Sequence, residues 1–411
     1  MKTHQATSVL TDTQLLDTRR RLVLLLGFMI VMIDGYDSLM MSFLAPLLTH
    51  QLGLAPEAMG KLFAVGYLGT MVGAIVAGTL ADQFGRKPLL LASLALAAVA
   101  TALCAWNAPP MLMALRFVAG LGLGGALPTS ASLIAEHTRP ERRSGVVTLV
   151  YIGYPFGAVV GGAVTAALLQ FGSAAIFLGA GAVTLGAFLA AQLLPESLPQ
   201  ERTVSGRSTR WRGVLHSLQE QLAEGRLWPA LLLWISLFSL LTATYLLVSW
   251  APTLLVNSGI SHSKAALGGV LLNVGGVIGA LCLAPIVNRW QPYLPAAAAV
   301  AFGAALMAVL GSVSLPVGAV MLTLFFIGSC IIGGQLNFPA MAIELYPQHV
   351  RAAGTGWTMA VGRLGSIAGP MLGGTLIGSG LSTATLLQVA AVPPLVTAAG
   401  LGLTAWLKRR R

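Results

Sequence analysis

The sequence predicts an all-α membrane protein of twelve transmembrane helices in two parallel six-helix repeats, and three observations carry that expectation. The 411 residues are 56% hydrophobic and only 9% charged, with a mean hydropathy of +0.82. That leaves too little polar surface to cover a soluble chain of this length. Apolar windows of about twenty residues, the length that crosses a hydrocarbon core, recur about twelve times. The second half of the chain also repeats the first.

The windows fall near 22–48, 58–80, 88–106, 110–134, 146–168, 174–194, 229–256, 265–287, 294–313, 316–343, 354–378 and 384–407. Residues 1–21 read as an N-terminal tail, 22–194 as one six-helix half, 195–228 as a polar central loop, 229–407 as the other half and 408–411 as a basic tail. No cleavable signal peptide is expected, because the polar tail ends in Arg19-Arg20-Arg21 and no small-residue cleavage site follows the apolar run. With the N-terminus inside, Arg86, Lys87, Arg139, Arg142, Arg143, the arginines of the central loop, Arg289, Arg351 and the Lys408–Arg411 tail all face the cytoplasm, against only Lys61 and Lys264 outside. This positive-inside bias predicts both termini in the cytoplasm. It also accounts for the net charge of +11 as a topological signal and a contact with the anionic lipid bilayer. Nucleic acid is not an expected partner.

A gapless shift of 209 residues aligns LGGALPTSASLIAEHTRPERRSG (Leu123–Gly145) with IGGQLNFPAMAIELYPQHVRAAG (Ile332–Gly354). Gly124/Gly333, Gly125/Gly334, Leu127/Leu336, Ala131/Ala340, Ile134/Ile343, Arg142/Arg351 and Gly145/Gly354 are identical, and Gly153 pairs with Gly362 further on. Such parallel repeats put a substrate site between two halves near mid-membrane. They imply a transporter, since an enzyme or anchor has no need of two pseudo-symmetric gates.

Other classes of chemistry are not expected. Cys104, Cys282 and Cys330 lie far apart in apolar segments and suggest neither a disulfide nor a metal. None of the six histidines falls mid-span, so a histidine proton relay is excluded. There is no phosphate-binding G-x4-G-K-[ST] loop and no nucleophile–base pair, so neither ATP-driven transport nor enzymatic activity is predicted. No cofactor is expected beyond the proton as coupling ion.

The first span carries two acids, Asp34 and Asp37, near its middle. Carboxylates in hydrocarbon are costly and three residues apart they share roughly one helix face, which marks them as a candidate proton or substrate site. Asp34 lies about 20 Å into the core, counted from Arg21 at 1.5 Å per residue. Arg116, early in the fourth span, and Arg363, in the eleventh, reach similar depths. An arginine holds an anion and does not release its proton, so the expected division is substrate carboxylate on a buried arginine and coupled proton on an aspartate. Tyr36, Tyr151, Tyr154, Tyr245 and Trp250 are candidate contacts for an aromatic ring. The repeat register sets Tyr154 opposite Arg363.

The loop after the second span reads GTLADQFGRKP (Gly78–Pro88) and matches the G-x-L-A-D-x-x-G-R-K signature of the major facilitator superfamily. In the second half the corresponding APIVNRWQP has Asn288 in place of the acid. Within the superfamily the chain resembles the aromatic acid:proton symporters. The residues that carry the likeness are Asp34-Gly35-Tyr36-Asp37, matching that family's D-G-x-D, together with Arg116–Gly145, Tyr245–Ser261 and Ala360–Gly374.

The resemblance implies the major facilitator fold and proton-coupled uptake of a benzoate, hydroxybenzoate or phenylpropionate by alternating access, in a bacterial inner membrane and by a monomer. It implies a gating role for Gly78, Asp82, Gly85, Arg86 and Lys87. Glu136 with Arg142 and Arg143, and Glu344 with Arg351, are read as latches on the inner face. The string Gly365-x3-Gly369-Pro370-x2-Gly373-Gly374 resembles a drug-antiporter signature, which leaves proton-coupled efflux as the alternative. It lies in the eleventh span, however, and the fifth span has Ala158 where antiporters carry the proline. A non-transporting sensor would need a soluble extension that the short tails do not supply.

Overall fold

The computed structural model describes residues 2–106, 109–136, 138, 150, 153–194, 225–289, 291–313, 315–348 and 350–409. Among these residues the regular structure is helical. In chain order the helices are α1 (Lys2–Leu52), α2 (Pro56–Phe84), α3 (Arg86–Leu103), α4 (Pro109–Glu136), α5 (Gly153–Leu168), α6 (Gly172–Ala191), α7 (Leu227–Asn257) and α8 (His262–Arg289). They continue as α9 (Tyr293–Ser312), α10 (Val317–Gln335), α11 (Phe338–Leu345), α12 (Arg351–Gly378), α13 (Thr383–Ala390) and α14 (Val392–Arg409).

Among the described residues, ten stretches are long and apolar enough to cross a membrane. One of them, Gly153–Ala191, holds both α5 and α6, joined by a short 3-10 turn and by Gly172 at φ 85°. The 28-residue α12 falls outside the ten because its glycines, Arg351 and Arg363 dilute its apolar character. Two expected spans are each built from two helices. The tenth is interrupted before α11, where Pro339 in the first turn cannot continue the hydrogen-bond ladder of α10. The twelfth breaks at Ala391, before Pro393 and Pro394.

The chain forms two compact units, Met1–Met40 with Val65–Gln200 and Met41–Ala64 with Glu201–Arg411. In the first, Val23, Leu26, Ile30, Leu90, Leu94, Leu133 and Ile134 form a common buried core. Helices in lipid gain little from the hydrophobic effect, so close backbone approach through small residues matters more. Gly153, Gly157 and Gly161 of α5 lie one turn apart against Phe28, Met32 and Tyr36 of α1. Gly120 and Gly124 of α4 lie against Gly66 and Thr70 of α2.

The second unit contains the same joints, 209 residues on. Gly153 against Phe28 becomes Gly362 against Leu237, and Gly124 against Thr70 becomes Gly333 against Gly279. The contact of Gly120 with Gly66 becomes a hydrogen bond of 2.9 Å from Ser329 Oγ to the Gly275 carbonyl. The repeat is therefore one of packing as well as of sequence.

The tips of α1 and α2 belong to this second unit. Phe43 lies over Gly269 of α8, Gly60 packs on Pro370 and Gly374 of α12, and Phe63 stands edge-on to Trp250 at 5.5 Å. Trp250 is fully buried and its indole N–H donates to the Pro370 carbonyl at 2.9 Å. A carbonyl oxygen has two lone pairs, so it can accept this bond as well as one within α12. Trp250→Phe keeps the ring and removes the donor. The expected loss is about 1–2 kcal/mol, read as a fall in the thermal midpoint of purified protein; an unchanged midpoint would remove this bond from the account.

Candidate functional site

Asp34 and Asp37 lie on α1, whose one-turn spacing places both in the interior of the first unit. Asp34 is 6% exposed and the Asp37 side chain 17%. The helix can come so close to α5 here because Gly35 between them meets the backbone of Tyr154, where any side chain would collide. Tyr36 turns the other way and covers Gly161.

Arg116, three per cent exposed, reaches Asp37 from α4. Its Nη2 donates to Asp37 Oδ1 at 3.1 Å, and its Nη1 donates to Oδ1 at 3.2 Å and to Oδ2 at 3.4 Å. This forked geometry is the one a guanidinium and a carboxylate favour. Nη2 also donates to Thr101 Oγ1 of α3 at 3.1 Å, and the guanidinium carbon stands 5.8 Å from the centre of the Phe177 ring on α6. Nε has no hydrogen-bond partner. Four helices thus meet on one buried cation. Sequence reasoning picked Asp37 and Arg116 but not Thr101 or Phe177, whose available signal was a lone hydroxyl and an aromatic ring inside strongly apolar spans.

The remaining candidates are spread over both units. Arg363 belongs to the second, where its side chain is exposed on α12 and enters no ion pair among the described residues. Tyr245 is half-buried in α7 and Tyr154 half-buried in α5. The structure gives the ring of Trp250 to helix packing. Tyr151, Arg142 and Arg143 lie outside the described residues, as do the side chains of Asp82 and Glu136.

In the gating segment, Gly78 and Asp82 lie on the last turns of α2, and Gly85 caps α3 at φ 92°, a conformation that favours glycine. Arg86 and Lys87 open α3 and are half-buried. Glu344 does not pair with Arg351. It accepts from Lys408 Nζ at 2.8 Å, and Lys408 also lies 5.1 Å from the centre of the Tyr293 ring. Arg351 Nε instead donates to the Tyr346 carbonyl at 3.3 Å. The turn between α11 and α12 aims Arg351 back at the backbone, which leaves Glu344 to the C-terminal helix.

Two repeated helical bundles in one chain, one holding an arginine–aspartate pair largely inside its packed helices, define a multi-pass membrane transporter. The chain belongs to the major facilitator superfamily, whose family model matches residues 24–370. It is 34% identical to the 4-hydroxybenzoate transporter PcaK of Pseudomonas aeruginosa, over 92% of this chain and 91% of that protein. It is 33% identical to the 3-(3-hydroxy-phenyl)propionate transporter of Escherichia coli, over 95% of each. With the gallate transporter of Pseudomonas putida it shares 31% identity over 92% of this chain and 90% of that one. Among solved structures, the D-xylose-proton symporter has the same fold, with a TM-score of 0.75 at 18% identity over 92% of this chain and 96% of that chain.

Proposed function

We propose that the protein takes up a small aromatic carboxylate together with protons across the bacterial inner membrane, by alternating access, with Asp37 as the proton site. The observation that carries this reading is the buried Asp37–Arg116 pair. Neither charge can be stranded cheaply in low dielectric, and arginine does not give up its proton. Of the pair, the aspartate is therefore the group that can take up a proton. When it takes a proton, the link between α1 and α4 weakens, and the two helices are free to repack.

Arg116 is already held by Asp37, so Arg363 is the better candidate to hold the substrate carboxylate. It stands twelve residues, about 18 Å, along α12 from Arg351. The relatives named for 4-hydroxybenzoate, gallate and hydroxyphenylpropionate support an anion on an aromatic ring as cargo. In the unit that carries Arg363, Tyr245 is the ring proposed to stack on the cargo or to donate to ring hydroxyls. Asp34, as the second buried acid, shapes the site around the pair. Both termini face the cytoplasm by the distribution of basic residues, the segment Gly78–Lys87 acts as a gate, and one copy of the chain suffices.

The experiment is initial uptake of labelled benzoate, hydroxybenzoates and phenylpropionates by vesicles at two external pH values, for the unsubstituted protein and Asp37→Asn. Uptake is expected to rise at the more acid pH for at least one member of the panel. Asp37→Asn is expected to abolish accumulation against a gradient while still exchanging internal for external substrate. Full pH-dependent accumulation by Asp37→Asn would exclude Asp37 as the proton site.

A further inference from the structure

We propose that Thr101 and Phe177 are positioning residues that hold the Arg116 guanidinium while Asp37 is protonated, and that they thereby set the external pH at which the transporter loads its proton. This rests on the reading of Asp37 as the proton site.

Among the described residues Arg116 is ion-paired with Asp37 and interacts with the Cys104 thiol. Two further neutral contacts present electron density to it, the Thr101 hydroxyl oxygen at 3.1 Å and the face of the Phe177 ring at 5.8 Å. Both come from helices other than α1, so a change at Asp37 leaves them in place. Their effect differs between the two states. Beside the intact ion pair, the negative ends of the hydroxyl and the ring attract the guanidinium but repel the carboxylate, so the net gain is small. Once Asp37 is neutral, the repulsion is gone and the full charge of Arg116 is left facing them. The cradle therefore favours the protonated state over the ion-paired one.

Other ionisable groups also act on Asp37. Cys104, just past the end of α3, and Tyr36 of α1 are close enough to interact with its charge, and Asp34 lies one turn earlier on the same helix. All three residues are retained in the Thr101 and Phe177 variants.

The second half shows that the cradle is a unit. At the positions 209 residues beyond Asp37, Thr101, Arg116 and Phe177 stand Leu246, Leu310, Phe325 and Leu386. The helix joints around them keep the same pairs, but the cation's three partners have become Leu246, Leu310 and Leu386, with the arginine itself replaced by Phe325. A hydroxyl and a ring that served only to fill space in α3 and α6 would have no reason to be confined to the half that carries the charge.

The test measures the external pH giving half-maximal initial uptake, each variant normalised to its own maximum, for Thr101→Val, Thr101→Ser, Phe177→Leu and Asp37→Asn. Thr101→Val keeps the shape and removes the oxygen, and Phe177→Leu keeps an apolar side chain and removes the π face. Both are expected to move the midpoint to more acid pH, by about one unit for Thr101→Val and less for Phe177→Leu. Thr101→Ser is expected to restore it. If Asp37→Asn still accumulates substrate in a pH-dependent way, the underlying reading fails. If Asp37→Asn loses accumulation but both other variants keep the original midpoint, or Ser fails to restore what Val removes, the cradle is packing alone and the proposal is overturned. Should Thr101→Val fail to reach the membrane, Phe177→Leu decides.

Discussion

Replacing Arg116 with Met is expected to abolish accumulation and to lower stability by about 3–5 kcal/mol, while Asp37→Leu with Arg116→Met in one chain regains most of that stability and none of the transport. The asymmetry follows from burial. Arg116 is 3% exposed and its partner carboxylate 17%, so removing the cation alone leaves an acid among α1, α3, α4 and α6 with Thr101 as a weak substitute. Protonation of the orphaned acid limits the loss but does not repay the missing contacts. Taking both charges away removes the desolvation penalty together with the attraction, and Leu with Met can fill the space. Thermal unfolding of the two single variants and the double variant in the same detergent gives the cycle. A double variant as unstable as the sum of the singles would mean that the pair contributes nothing as a pair. Recovery of stability without recovery of uptake would separate the pair's role in transport from any role in folding.

Gly157→Leu is expected to prevent assembly of the first unit. A side chain at this position of α5 would occupy the place of the Met32 carbonyl on α1. Backbone cannot rotate aside as a side chain does, so the cost exceeds the roughly 1–3 kcal/mol of ordinary overpacking. The acids of α1 are carried on this same joint, with Gly35 against Tyr154 and Gly161 against Tyr36 one turn to either side. A shift of α1 large enough to admit leucine would therefore also pull Asp37 off Arg116. Gly186→Leu and Gly402→Leu supply the comparison, since nothing stands within 4 Å of a Cβ at either, and changes there are expected to stay within about 0.5 kcal/mol. The yield of monodisperse protein on size exclusion distinguishes them. A well-folded Gly157→Leu would show that α1 and α5 can separate.

How much of this was legible in the sequence depends on the kind of information each feature needs. Composition and a 209-residue shift suffice for the helical membrane class and the internal repeat, because they rest on hydropathy and identity. Depth in the membrane can be counted along a helix, and that count brings an acid of α1 level with Arg116. It cannot choose between Asp34 and Asp37, which differ by only about 4.5 Å in rise; the choice is made by rotation about the helix axis. Thr101 and Phe177 carry neither charge nor periodicity and become visible only when α3 and α6 are seen around the guanidinium. Glu344 was grouped with Arg351 because the two repeat the acid–base grouping of Glu136 with Arg142 and Arg143, whereas its partner Lys408 is 64 residues away. The breaks before α11 and at Ala391 were foreshadowed by Pro339 and by Pro393-Pro394, signals that hydrophobic windows of twenty residues average away.

The hairpin of residues 41–64 has a consequence for cutting and recombining the chain. The central loop looks like the seam, but the packing seam falls inside α1 and α2. A fragment beginning at residue 201 would leave Trp250 and the glycine face of α12 without the hairpin that covers them, and the complementary fragment would carry a hairpin with nothing to rest on. Chimaeras that join the first half of one relative to the second half of another must therefore match the borrowed half to residues 41–64. Modularity in this protein is set by which side chains lie on which helix, and the longest polar stretch of sequence is a poor place to look for it.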